Sequence, residues 1–278
     1  MAITITGGLT MSGGARIVIP PPPPSEFDFS NPVYNSYTWP GDSNIGTVFA
    51  IAFGKDGEKF YVTDSTYNYR EFDLSTPYDL STATYVRGNN IPALEYSRGP
   101  SGMTFNAAGT RMVGQADWYH YALELSTAWD ISTLTFKREV NINSQSGDTN
   151  YNGLQFNGSE DKIVTTTYQA GEVQALDVSW TSFFYNNSDK ISVGTFPRKK
   201  GFAFDKTGSR FIIYDRDNLD LLIYTMTTPY DVTTGTLSTT YDVSGINPVG
   251  DAITNIVPSH DFTKIFLLNN GTVWMISQ

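Results

Sequence analysis

Phe72-Asp-Leu-Ser-Thr-Pro-Tyr-Asp-Leu-Ser-Thr-Ala-Thr-Tyr-Val86 decides the fold of this chain. It reads as a strand, a turn built on Thr76-Pro77 and a second strand, because proline presets the turn and the flanking β-branched and aromatic residues favour extended backbone. The stretch recurs in worn copies. Leu123-Glu-Leu-Ser-Thr-Ala-Trp-Asp-Ile-Ser-Thr-Leu-Thr-Phe136 and Tyr224-Thr-Met-Thr-Thr-Pro-Tyr-Asp-Val-Thr-Thr234 are clear repeats, and Phe27-Asp-Phe-Ser-Asn-Pro-Val-Tyr34 is a partial one.

A second motif precedes each copy: a hydrophobic strand ending in a large apolar residue, a short turn and another strand. Its anchors are Phe53, Phe105, Phe156, Phe204 and Val257, spaced by 52, 51, 48 and 53 residues. In the first four units an apolar residue follows the anchor by seven positions (Phe60, Met112, Ile163, Phe211), whereas Ile265 comes one position later in the fifth. Asp56-Gly57, Thr207-Gly208 and Asn270-Gly271 supply tight-hairpin chemistry.

Four antiparallel strands at a period near 50 residues, with no helical periodicity, predict an all-β, five-bladed β-propeller of four-stranded blades. In the first unit the strands are expected near 46–53, 59–64, 68–74 and 83–88. The last unit stops at its third strand. Residues 34–39 align with the fourth strand of the first unit and are expected to complete the fifth blade, closing the ring and removing an exposed edge.

The predicted organisation is an extended N-terminal arm over 1–19, a polyproline spacer over 20–26 and the propeller over 27–278. Pro20 to Pro24 form a stiff polyproline II run of roughly 15 Å. The arm alternates, with Ile3, Ile5, Leu9, Ile17 and Ile19 as its apolar attachment residues between glycine pairs.

Composition narrows the function. The chain has 278 residues, no cysteine and a net charge of -10, so disulfides and thiolate metal sites are excluded and nucleic acid is an unsuitable partner. No apolar run is long enough for a membrane-spanning helix. The N-terminus lacks a basic segment before an apolar block, which reads as no signal peptide.

The Ser-Thr-Pro-Tyr-Asp-Leu-Ser-Thr unit resembles a repeat of propeller-like proteins from tailed phages and environmental bacteria, over residues 27–278. Ala2-Ile-Thr-Ile-Thr-Gly-Gly-Leu-Thr similarly looks like the N-terminal arm of small phage virion proteins. Trp129-Asp130 does not make this a WD repeat, since the Gly-His partner is missing.

The resemblance implies a non-enzymatic structural protein of a tailed-phage virion, made in the host cytoplasm: a tail fibre, tail-associated or decoration protein. It would be oligomeric in the particle, attached to other virion proteins by the arm, and would display the propeller toward host-surface glycan. The competing expectation is a carbohydrate-binding lectin or glycosidase-like propeller enzyme.

Candidate ligand residues fall in the loops between second and third strands: Tyr67, Asn68, Trp118, Tyr119, His120, Tyr168, Asp215 and Asp217. Aromatic faces beside amides and carboxylates suit sugar stacking and directional hydrogen bonding. The other reading is that the aromatics cover loop ends and that 215–220, whose spacing resembles a calcium loop but lacks its glycine and distal glutamate, is a solvated turn. Neither His120 nor His260, the two histidines, lies in a nucleophile motif, and His260 is expected to be a solvated turn residue. The innermost strands carry almost no acids, which argues against a carboxylate pair in the channel. No catalytic residue, metal or cofactor is therefore expected.

Overall fold

The computed structural model describes residues 33–37, 45–66, 68–90, 101–116, 119–141, 151–167, 172–178, 180, 189–192, 199–244, 253–269 and 271–277. The expected arm and spacer, over 1–26, lie outside the described residues.

Five four-stranded antiparallel sheets form a five-bladed propeller. After β1 (Val33–Tyr37), the first blade contains β2 (Val48–Gly54), β3 (Lys59–Asp64), β4 (Asn68–Leu74) and β5 (Ala83–Asn90). The second contains β6 (Gly102–Phe105), β7 (Arg111–Ala116), β8 (Tyr119–Leu125) and β9 (Leu134–Asn141). The third contains β10 (Tyr151–Phe156), β11 (Lys162–Thr167), β12 (Glu172–Asp177) and β13 (Asp189–Ser192). The fourth contains β14 (Lys199–Phe204), β15 (Arg210–Asp215), β16 (Asp220–Met226) and β17 (Gly235–Asp242). The fifth contains β18 (Ile253–Pro258), β19 (Lys264–Asn269) and β20 (Thr272–Ser277), completed by β1, which pairs antiparallel with β20 from Val33↔Ser277 to Tyr37↔Val273. The innermost strands touch in a closed ring: β2 to β6, β10, β14, β18 and back to β2.

Side-chain alternation explains the apolar runs. Along β15, Phe211 and Ile213 face the third blade, while Ile212 and Tyr214 face the fifth. Both faces of a middle strand are thus buried, so the run is continuous rather than alternating. The core divides into five apolar clusters, one at each seam between adjacent blades. The outermost strand β17 is exposed over most of its length and is correspondingly rich in Thr and Ser.

The repeated stretch is a structural device. Asp79, Asp130 and Asp231 each accept a hydrogen bond from the backbone N–H two residues on and cap a 3-10 turn. The threonine closing each turn, Thr82, Thr133 or Thr234, donates to the carbonyl of that aspartate. Leu80, Ile131 and Val232 are buried beneath the turns. Preceding each aspartate, Tyr78, Trp129 and Tyr230 adopt left-handed backbone with φ of 57°, 65° and 61°.

One anchor needs correcting. Pro258, not Val257, pairs with Ile265 and occupies the place of Phe53, Phe105, Phe156 and Phe204. The seven-residue rule then holds in all five blades. A proline is tolerated here because β18 is an edge strand of its four-stranded sheet.

Candidate functional site

Antiparallel blades place the turns between first and second strands on the same face as the turns between third and fourth. A cavity of ≈ 650 Å³ opens on that face around the propeller axis. Its rim carries Tyr78, Trp129 and Tyr230 from the repeated turns, and its walls come from the innermost strands. The sequence reading placed candidate ligand residues on the opposite face.

Most rim polar groups are committed to holding turns. Asn106 accepts from the backbone N–H groups of Thr110 and Arg111, and Asn157, Asp205 and Ser259 accept the equivalent bond in their blades. Glu160, on the third blade, reaches the Asn106 side-chain amide at 3.0 Å and the Ala107 N–H at 2.9 Å on the second. Asp205 accepts from Thr207, Ser209 and Arg210. Glu160 and Asp205 are therefore both engaged in turn hydrogen bonds.

Two features are not absorbed by the turns. Asn255, on β18, lines the cavity and is 4% exposed, and its side-chain oxygen has no hydrogen-bond partner among the described residues. That oxygen is itself shut off from solvent, and burying such a group unpaired costs about 1–3 kcal/mol. Nearby Gln155 lines the same cavity, and its side-chain oxygen accepts from the Phe204 N–H.

The second feature is His260, whose Nδ1 lies 2.5 Å from Asp56 Oδ1. The pair joins the fifth blade to the first across the ring's closing seam, and both residues line the cavity. Burial holds the imidazole below its ordinary range, helped by Lys206 and opposed by Asp56 and Asp261. His260 is an exposed turn residue, as expected from the sequence, and in addition meets Asp56.

The described residues among those proposed from sequence lie on the first, second and fourth blades. Asn68 begins β4, and its side-chain amide donates to Thr66. Tyr119 begins β8 and packs against the cluster between the first and second blades. His120 is fully buried within β8, off the surface, and burial pushes its imidazole down to about 3. Asp215 is buried at the end of β15, where it accepts from the Asp217 and Asn218 N–H groups and the Asn218 side chain. Asp217 is exposed in that turn. Tyr67, Trp118 and Tyr168 lie outside the described residues, as do Ile3, Ile5, Leu9, Ile17 and Ile19. Among the described residues, no group of three His, Asp or Glu side chains is arranged to hold a metal ion.

Sequence reasoning missed Asn255, the Asp56–His260 pair and the rim position of the repeated aromatics. The repeat register contained the signal for the pair, because Asp56 and His260 both follow an anchor and so fall in equivalent turns of neighbouring blades.

No protein-family model and no curated protein matches the chain. Solved structures match in fold. A candidate 6-phosphogluconolactonase from Bacteroides uniformis ATCC 8492 aligns with a TM-score of 0.51 at 12% identity, covering 79% of this chain and 63% of that one. Another, from Bacteroides fragilis NCTC 9343, aligns with a TM-score of 0.53 at 9% identity, covering 82% of this chain and 65% of that one. The chain thus spans just under two thirds of the length of either neighbour. At such identity the likeness shows the fold, a β-propeller. It corrects the expectation of a non-enzymatic virion component: the fold neighbours carry an enzyme's name, and neither is named as a phage protein.

Proposed function

We propose that this is a carbohydrate-recognising propeller of the enzyme-bearing type, with a sugar or sugar-acid derivative held in the axial cavity. The axial cavity of ≈ 650 Å³, lined by the aromatic residues Tyr78, Trp129 and Tyr230 of the repeated turns, carries this reading. The volume lies within the usual range for small-molecule sites. Tyr78, Trp129 and Tyr230 supply ring faces at the rim, and Thr104 and Gln155 add polar groups on the walls. Rings over C–H faces, combined with oriented amides, suit a polyhydroxylated ligand. The names of the fold neighbours point to the same chemistry, and they support the sugar-acid form of the ligand. The commitment of Glu160 and Asp205 to neighbouring turns disfavours a two-carboxylate glycosidase.

Diffraction from crystals soaked in gluconate tests the assignment. Density in the axial cavity against Tyr78, Trp129 or Tyr230 supports it. Density confined to the Asn68, Tyr119 and Asp217 face refutes it.

A further inference from the structure

We infer that the seam between the third and fourth blades binds a small zwitterion of the α-amino-acid type, in a second cavity beside the axial one. The inference does not depend on the sugar reading.

The repeat lets the seams be compared position by position. Between the first and second blades, the Glu71 side chain on β4 is 1% exposed. It accepts from Lys59 Nζ at 2.6 Å and, across the seam, from the Ile131 N–H of the repeated turn at 3.2 Å. Tyr61 crosses the same seam and donates to the Trp129 carbonyl at 2.7 Å. Arg87 on β5 pairs with Asp130 and lies 3.6 Å from Glu71. A carboxylate and a guanidinium therefore sit side by side between these blades.

Strand register carries each position to the third and fourth blades. Lys59 pairs with Asp73 and Lys162 with Asp177, so the two lysines are equivalent. Tyr61 opposite Glu71 becomes Val164 opposite Ala175. Arg87 opposite Glu71 becomes Asp189 opposite Ala175. Val232 begins the fourth blade's turn as Ile131 begins the second's. Lys162, Ala175 and Val232 all line one cavity of ≈ 310 Å³, a volume within the small-molecule range. The lysine that meets Glu71 in the first blade is thus kept, while the carboxylate and the phenol ring are replaced by small side chains. The second blade carries a similar pair, Val113 opposite Ala122, but there Trp180 packs against it, under Arg111 at 4.8 Å.

Charge selects the ligand. Asp161 and Asp231 also line the cavity, each held by its own turn: Asp161 by Asn157 and Ser159, Asp231 by the Thr233 N–H and hydroxyl. Lys162 lies 3.6 Å from Asp177, as Lys59 lies 2.6 Å from Asp73. A simple anion would gain Lys162 but be repelled by both aspartates, and a simple cation would gain the aspartates but be repelled by Lys162. A ligand with both charges satisfies all three. Its carboxylate takes the place of Glu71, accepting from Lys162 and the Val232 N–H, and its ammonium takes the place of Arg87, facing Asp231. An α-amino acid holds the two groups on one carbon, which suits the close approach of Arg87 to Glu71 in the first seam.

Titration of the full chain with each of the twenty α-amino acids, followed by saturation-transfer NMR, tests this. At least one should bind saturably. Its carboxamide and its N-acetyl derivative should each bind at least roughly tenfold more weakly, because each has lost one charge. Ala175→Glu supplies the carboxylate from the protein and should abolish binding. Lys162→Met, at a partly exposed position, should weaken binding about tenfold and serves if Ala175→Glu does not fold. No binding by any of the twenty, equal affinity for the acid and its carboxamide, or unchanged affinity in Lys162→Met or in folded Ala175→Glu overturns the inference, whatever gluconate does at the axial cavity.

Discussion

Trp129 lies so close over Gly109 that a Cβ added to the glycine would fall 2.2 Å from two indole carbons. The contact joins the two turns at one end of the second blade, and the Trp129 N–H donates to the Gly109 carbonyl at 2.9 Å. Tyr230 and Gly208 repeat the arrangement in the fourth blade. Gly109 also has a φ of +68°, so a side chain there meets both steric and backbone strain. Gly109→Ala is expected to destabilise the protein by about 1–3 kcal/mol in urea unfolding. Alanine at Gly88, where the nearest atom to an added Cβ is 3.2 Å away and no positive φ is involved, should cost clearly less.

The capping aspartates give a second prediction. Asp79 and Asp130 make the same turn bonds, but Asp130 also receives Arg87 from the neighbouring blade. The Ser132 hydroxyl foremost, with Arg87, holds its carboxyl below the usual range. Asp79→Ala should cost about 1 kcal/mol, as for loss of a helix cap, and Asp130→Ala more than that. Urea titrations of the two variants side by side read the difference.

His120 should make stability depend on pH. Its folded-state pKa, about 3, lies below the ordinary value near 6.5 for an unfolded chain, so the unfolded state binds the proton first. The stability associated with the neutral ring is therefore complete above about pH 6.5 and lost as pH falls toward 3. At pH 5 the loss is roughly 2 kcal/mol. Replacing His120 by Gln should flatten the stability profile between pH 7 and 4, whatever it does to stability at pH 7. A slope unchanged from the parent would show that the group responsible lies elsewhere.

The ring was legible because it is built by repetition. Anchors such as Phe53 and Phe204, the capping Asp79 and its copies, and the twice-buried run Phe211-Ile-Ile-Tyr214 each serve local strand or turn physics, which leaves a periodic trace in the sequence. The site left no such trace. Asn255 follows Thr254 in a strand that is otherwise apolar, and nothing periodic singles it out. Asp56 and His260 are 204 positions apart and meet only because the ring closes. Loop aromatics were sought on the face opposite the axial cavity, while Tyr78, Trp129 and Tyr230 were read as turn chemistry alone.

Closure itself can be tested. Without β1, the backbone edge of β20 is unpaired, and an open edge invites pairing between molecules. A variant lacking residues 1–37 should lose thermal stability and associate at micromolar concentration by light scattering. A variant lacking residues 1–26 keeps β1 and should match the parent.

What remains to be measured is whether the axial cavity holds a sugar-type ligand against its aromatic rim. Calorimetric titration of gluconate into the parent protein and into Tyr230→Ala measures this directly. Saturable one-to-one binding to the parent is expected, with about tenfold weaker binding to a variant that stays folded, consistent with loss of one ring contact. Equal affinity in the two proteins, or no binding to either, would contradict it.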